Sequence, residues 1–371
     1  MPFTEFDREM MRRALVLAKQ GSGYVSPNPM VGCVIADATG NVLGEGAHLV
    51  FSGPHAEPNA IAEAEARGHS VHGATVYVTL EPHSHRGKTP PCSKLLIEKG
   101  IARCVIAMED PNPKVNGNGI RELRGAAIQV DVGLLAEEAR ELNRFFIKHI
   151  TRGVPYVTLK LAASLDGRSA LDSGESQWIT SPASRKKVHA LRAEHDAVLI
   201  GARTALADDP SLTVRLAAGR QPMRIVLDAR LELPTSLKLF TDEARAKTIL
   251  VTTEAAALQN GEVYTKLGIE LLTVDAANGR IALARLLRAL GGRRIMSMLV
   301  EAGPTLAASF ARERLFDELL LFFGPILLGG DARPMIGPLG LELLNEAPRL
   351  ALQQVERVEE TDDVMMRFQP E

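Results

Sequence analysis

The sequence predicts a two-domain α/β protein, and three observations carry that expectation. At 371 residues the chain is longer than one ordinary hydrophobic core supports. Short β-rich runs alternate with helical periods almost from end to end, the pattern of helices packed over a central, partly parallel sheet. Near the middle, Thr151-Arg152-Gly153-Val154-Pro155 reads as a short linker, which divides the chain into 1–149 and 150–371.

Composition narrows the class. The apolar fraction of 46% and charged fraction of 24% are those of a globular protein, and a net charge of −2 gives no bulk attraction to nucleic acid or membrane surfaces. The cysteines are Cys33, Cys92 and Cys104. So sparse and odd a set argues against a disulfide framework and for a reducing cytoplasm. Glu5, Asp7 and Glu9 are foreign to a signal peptide. The most apolar run, Leu319 to Leu328, is too short to cross a bilayer and contains Gly324 and Pro325.

In the first half, Thr4 caps a helix running to about Gln20, with Gly21 as its stop. Two prolines around Asn28 stiffen a loop that leads into a hairpin, Val31 to Ala36 and Val42 to His48. A helix begins at Ala56, followed by a strand, Ala74 to Leu80, and a helix, Cys92 to Lys99. Then come a strand from Arg103 to Met108, the loop Asp110-Pro111-Asn112-Pro113, a helix near Gly119 to Arg124, a strand from Ala127 to Asp131 and a single helix from Leu134 to His149.

Three pieces of this half carry chemistry: His55-Ala56-Glu57, Glu81-Pro82-His83 and Pro91-Cys92. Each falls at a helix start or a strand exit. His55, His83 and Cys92 offer three soft or borderline donors, the number a catalytic zinc takes when it keeps one position open. Glu57, a carboxylate outside that set, suits proton transfer. Cys33 and Cys104 fall inside strands and read as core.

Taken together, His-Ala-Glu at 55–57 and the run from Thr79 to Cys92 resemble the cytidine-deaminase superfamily. More narrowly they resemble the deaminase domain of the bifunctional deaminase/reductase family of riboflavin biosynthesis, as do the loops at 26–32 and 110–113. The resemblance implies a cytidine-deaminase-like α/β/α sandwich that hydrolyses the 2-amino group of a phosphoribosylaminopyrimidine. His55, His83 and Cys92 then hold zinc, with Glu57 as the catalytic proton carrier. The family usually has cysteine at the position of His83. Two imidazoles and one thiolate leave the zinc centre at +1 rather than neutral, which favours a more acidic water and weaker zinc binding. His85 is the fallback ligand, and Lys88 either touches substrate phosphate or is a solvated loop lysine.

The second half opens with a buried strand, Tyr156 to Ala163, then Ser164-Leu165-Asp166-Gly167-Arg168 and a polar loop carrying Trp178. A helix capped by Thr180 or Ser181 runs to about Glu194, followed by a strand to Gly201 and a helical turn from Thr204 to Asp209. Further strands fall at 224–227, 248–251, 270–274 and 295–300, with a helix at 280–290. Glu301-Ala302-Gly303-Pro304-Thr305 is a glycine-bearing strand-to-helix turn whose amides suit phosphate, and the G-x-G-x-x-G fingerprint is missing. Strands at 318–323, 350–357 and 364–368 close the sheet.

Segments 160–168, 174–180, 206–210 and 300–306 are similar to the reductase domain of the same family. The resemblance implies a dihydrofolate-reductase-like domain that uses NADPH to reduce the ribosyl group to ribityl. On that basis Ala162, Trp178, Thr204, Asp208, Ala229 and the turn Gly303, Pro304, Thr305, Leu306, Ala307, Ala308 and Ser309 contact the cofactor. Ser176, Arg192, Leu212, Arg215 and Glu301 contact substrate. The guanidinium fork of an arginine matches a phosphate monoester. Asp166 either orients the ribose or caps a turn. The family implies a homodimer or higher homo-oligomer.

Overall fold

The computed structural model describes residues 3–84, 90–113, 115–277 and 279–371. The chain divides into two compact units, residues 1–153 and 154–371. In the first, the order is α1 (Glu5–Ala18), β1 (Gly32–Ala36), β2 (Val42–Ala47), α2 (Ala56–Ala66), β3 (Thr75–Val78), α3 (Cys92–Glu98), β4 (Arg103–Ile106), α4 (Asn118–Gly125), β5 (Gln129–Val132), α5 (Ala136–Leu142) and α6 (Arg144–Arg152). The five strands form one sheet in the order β2-β1-β3-β4-β5. Strand β1 is antiparallel to β2 and β3, and β3, β4 and β5 are parallel.

Both faces of this sheet are buried, one cluster holding Cys33, Ile35, Ile61 and Cys104 and the other Met11, Val34, Tyr77 and Val105. Cys33 and Cys104 are core residues, each fully buried. Helix α2 lies unusually close to β2. A β-carbon on Gly46 would overlap the Ala56 carbonyl oxygen and the Ala60 amide, and one on Gly44 would overlap the Ala60 carbonyl oxygen. Glycine on the strand facing alanine on the helix is therefore what sets the helix position. Gly46→Ala is expected to cost about 3 kcal/mol by overpacking, read as a lowered denaturant midpoint, and to reduce bound zinc because α2 carries His55.

Helix α1 opens with a reciprocal cap: Asp7 N–H donates to Thr4 Oγ1 at 3.0 Å and Thr4 N–H to Asp7 at 2.9 Å. The same carboxylate accepts from Tyr77 Oη at 2.8 Å and from Arg103 at 2.7 Å, and Arg103 also reaches Asp131 at 2.7 Å. Burial alone would raise the Asp7 carboxyl; Arg103, Thr4 and Tyr77 outweigh it and hold the group at about 2. A depressed folded-state value stabilises the fold above the ordinary carboxylate range, and that contribution is lost as pH falls toward 2. Acid titration followed by circular dichroism is expected to show the native protein losing stability between about pH 4 and pH 2, and Asp7→Asn losing less over that window.

The helix expected at 134–149 is two helices. The break is Asn143, only 1% exposed, whose side chain accepts from Met30 N–H at 2.8 Å and donates to the Met30 carbonyl at 2.9 Å. Helical periodicity carries no trace of so distant a partner. Helix α6 runs through Arg152, into the stretch read as linker, and closes on Gly153 at φ +69°.

The second unit continues with β6 (Tyr156–Ser164), β7 (Arg168–Ala170), α7 (Pro182–Glu194), β8 (Ala197–Gly201), α8 (Ala202–Asp208), β9 (Met223–Leu227), α9 (Lys238–Thr241), β10 (Thr248–Thr252), α10 (Glu254–Asn260), α11 (Glu262–Lys266) and β11 (Glu270–Thr273). It ends with β12 (Ala276–Ala277), β13 (Arg280–Ile281), α12 (Leu283–Gly292), β14 (Ser297–Glu301), α13 (Pro304–Arg312), β15 (Glu318–Gly324), β16 (Arg333–Pro334), β17 (Leu350–Arg357) and β18 (Val364–Pro370). The main sheet has nine strands in the order β11-β10-β9-β8-β14-β6-β15-β18-β17. It is parallel from β11 to β15, and β18 and β17 are antiparallel additions. Because β14 inserts between β6 and β8, the strand order reverses there, and ligands gather at the carboxyl ends of strands beside such a reversal. Among the described residues, no helix is long and apolar enough to cross a membrane.

Candidate active sites

In the first unit, three separate elements deliver the donors. His55 caps α2, Cys92 begins α3, and His83 lies in the segment leaving β3. One ligand atom from each lies within 4.8 Å of the others. Cys92 Sγ is 3.7 Å from His55 Nδ1, and the two imidazole centroids are 4.5 Å apart. Glu57, only 3% exposed, stands in the first turn of α2. Burial pushes its carboxyl up, partly offset by its hydrogen bond with Cys92, and burial and then Glu57 push the Cys92 thiol up. A divalent cation among these donors reverses that balance and holds the sulfur as thiolate. Two imidazoles, one thiol and a carboxylate beside them fit zinc with an open position.

The ligand loop is anchored by a residue the sequence reading left without a role. The Glu81 carboxylate accepts backbone N–H bonds from Asp110 at 3.2 Å, Gly117 at 2.9 Å, Gly119 at 2.9 Å and Ile120 at 3.3 Å. This binds the 110–120 segment to the residues before His83. The fit is close: a β-carbon on Gly119 would overlap the Pro82 carbonyl oxygen. His48 was also missed. Its Nδ1 lies 2.9 Å from the Pro54 carbonyl, so Nδ1 donates, leaving Nε2 to accept from Asn28 Nδ2 at 3.1 Å. Its ring lies 5.1 Å from that of His55. His85 and Lys88 lie outside the described residues.

The second unit holds a cavity of about 2200 Å³ at the carboxyl ends of β6, β8, β9 and β14. Ala162, Trp178, Thr204, Asp208, Ala229, Gly303, Pro304, Thr305, Leu306 and Ser309 line it, as do Ser176, Arg192, Leu212, Arg215 and Glu301. Ala307 and Ala308 do not: Ala307 is fully buried in the core and Ala308 is 3% exposed. Helical geometry turns Ala307 into the sheet's core and packs Ala308 beside Gly337, while the first turn of α13 faces the cavity. Gly303 caps α13, and Pro304, which has no N–H, opens its first turn.

The two arginines differ. Arg192 is committed inside the protein: Nε and Nη2 donate to Glu301 at 2.5 and 2.9 Å, and Nη1 to the Thr213 carbonyl at 3.2 Å. Arg215 is exposed to the cavity and reaches Thr213 Oγ1 at 3.4 Å. Burial would raise the Glu301 carboxyl, but Arg192 and then Lys160 and His189 bring it below its ordinary value. Burial pushes the Lys160 ammonium down, opposed by Glu301. Lys160 was not assigned from sequence, although a lysine within the apolar run of β6 was a visible signal. Asp166 pins a turn: it accepts from Ser164 Oγ at 2.6 Å, Leu328 N–H at 3.1 Å and Gly329 N–H at 2.7 Å. Trp178 is 66% exposed, with the Arg185 guanidinium 4.1 Å from its ring centroid.

A His/His/Cys cluster with a buried carboxylate on one mixed sheet fits a zinc-type deaminase, and the large cavity at the carboxyl ends of the parallel strands of the second fits a domain that binds a large ligand. The family models agree: residues 4–108 match the cytidine and deoxycytidylate deaminase zinc-binding region, and residues 155–362 match the RibD C-terminal domain. The chain is 43% identical over 350 residues to the riboflavin biosynthesis protein RibD of Bacillus amyloliquefaciens, covering 94% of this chain and 92% of that one. It is 42% identical over 365 residues to RibD of Escherichia coli, covering 95% and 96%. Among solved structures it superposes on Acinetobacter baumannii RibD with a TM-score of 0.87 at 37% identity. It superposes equally, with a TM-score of 0.87 at 37% identity, on the diaminohydroxyphosphoribosylaminopyrimidine deaminase/5-amino-6-(5-phosphoribosylamino)uracil reductase of Thermotoga maritima. Each superposition covers 99% of both chains. The chain belongs to the RibD family of bifunctional riboflavin-biosynthesis deaminase/reductases. It pairs a zinc-binding, cytidine-deaminase-like domain with a dihydrofolate-reductase-like domain of the NADPH-using type.

Proposed function

We propose that the first unit deaminates 2,5-diamino-6-(5-phosphoribosylamino)pyrimidin-4(3H)-one and that the second reduces the resulting 5-amino-6-(5-phosphoribosylamino)uracil to its ribityl form. The observation that carries this reading is the convergence of His55, His83 and Cys92 beside buried Glu57. These three residues hold the zinc, which when bound supplies the Lewis acidity that makes water a nucleophile near neutral pH. Glu57 would take the first proton of that water and pass it to the ring nitrogen, then take the second from the hydroxyl added to the ring carbon and deliver it to the departing amine, so that the carbonyl forms and ammonia leaves.

In the second unit, NADPH when bound would supply a hydride to the ribosyl carbon that bears the amine; the bond from that carbon to the ring oxygen breaks, and the oxygen takes a proton from water to become a hydroxyl of the ribityl chain. The backbone N–H groups of Gly303 and Thr305, with Pro304, Thr204, Asp208, Ala162, Ala229 and Trp178, position the cofactor, and Leu306 and Ser309 complete its wall. Ser176, Leu212, Arg215 and Glu301 receive the substrate. Arg215 meets the phosphate, while Arg192 holds the Glu301 carboxylate in place. The protein works in the cytoplasm as a homo-oligomer, without nucleic acid or membrane partners. The test is stoichiometry: zinc-replete protein given the diaminopyrimidine is expected to release one ammonia and oxidise one NADPH per substrate. Oxidation of NADPH only with pre-deaminated substrate would contradict the deaminase half.

A further inference from the structure

The segment that carries Arg215 has no regular structure, yet side chains from neighbouring elements hold it at almost every residue. Arg224 Nη1 donates to the Ser211 carbonyl at 2.9 Å and Arg192 Nη1 to the Thr213 carbonyl at 3.2 Å. Gln221 brackets Val214, accepting its N–H at 2.7 Å and donating to its carbonyl at 2.8 Å. The Arg215 N–H donates to His189 Nδ1 at 3.0 Å. His189 lies on α7, is 6% exposed and lines the cavity. A ring nitrogen that accepts an amide N–H carries a lone pair, so this imidazole is neutral with its proton on Nε2.

We propose that His189 is a positioning residue of the reductase site, fixing the Arg215 backbone so that the guanidinium meets the substrate phosphate. This rests on Arg215 being the phosphate contact. The charged groups around His189 are Arg185 and Arg192 of its own helix, Arg215 of the loop, Glu301 at the end of β14 and Lys160 of β6, all lining the same cavity. Burial, then Arg192 and Arg215, push the imidazole below its ordinary value, opposed by Glu301. A protonated ring could not accept the amide, so affinity for the anionic substrate weakens as pH falls.

The test is steady-state NADPH oxidation with 5-amino-6-(5-phosphoribosylamino)uracil. His189→Leu is expected to raise the substrate KM about 10-fold, with kcat and the NADPH KM within about threefold. His189→Asn places an amide oxygen where Nδ1 stood and is expected to keep KM within about threefold of native. The substrate phosphate itself gains a proton near pH 6. The acid limb of kcat/KM is therefore expected to be steeper in the native protein than in His189→Asn. Equal limbs, an unchanged KM in His189→Leu, or equal damage in both variants would overturn the proposal. Should His189→Leu not fold, the comparison of acid limbs decides. Arg215→Met separates the two levels. An unchanged KM there removes the phosphate role of Arg215 and the proposal with it, whereas a raised KM alongside a native-like His189→Leu removes the proposal alone.

Discussion

Replacing Glu57 by glutamine is expected to slow ammonia release by about 10³-fold or more, the upper range for loss of a group that moves protons in the transition state. The side chain keeps its shape and lies outside the three-donor set, so zinc content should stay native. The variant should still oxidise NADPH when given pre-deaminated substrate, because the cavity of the second unit is lined by residues of that unit. A glutamine amide can neither take a proton from water nor return one to the amine. Ammonia release and metal content measured on one preparation check both halves.

The second large effect concerns Arg192. Its side chain and that of Glu301 are 11% and 14% exposed, joined by two hydrogen bonds. Removing one partner of an enclosed pair strands the other charge, at a cost of about 3–5 kcal/mol. Lys160 stands near enough to compensate in part, which places Arg192→Met at about 3 kcal/mol, the lower end. The same change frees the Thr213 carbonyl and loosens the loop that presents Arg215. Reductase turnover should therefore collapse while ammonia release continues. Adding Glu301→Gln should recover part of the stability, because the Glu301 carboxylate is no longer stranded, and none of the turnover. Denaturant melts and NADPH oxidation distinguish these outcomes.

Residues whose chemistry lies in their type and local placement were legible in the sequence. His55 and Glu57 fall at a helix start, and Cys92 follows a proline at another. The alternation of strand and helix matches the parallel strands of both mixed sheets. Features depending on partners far along the chain were not legible. Asn143 divides a helix through its bonds to Met30, and helical period cannot register them. Glu81 looked like a neighbour of the ligand but is an anchor for four distant amides. Arg192 suits phosphate by type, and its pairing with Glu301, 109 residues along the chain, leaves no local signal. The small helices α9, α10 and α11 had too few turns to show a period. Ala307 and Ala308 were included because a whole turn was carried over by resemblance, whereas only part of a helical turn can face a cavity.

The central claim is that His83 completes a working zinc site in which one thiolate and two imidazoles hold the metal. The direct measurement is zinc content together with X-ray absorption at the zinc edge, on the native protein and on His83→Ala. The expected result is one zinc per chain with one sulfur and two imidazole nitrogens in the native protein, and loss of most of the metal in the variant. A native protein that holds no zinc after zinc-replete growth, or a variant that binds it as tightly through His55 and Cys92 alone, would contradict the claim.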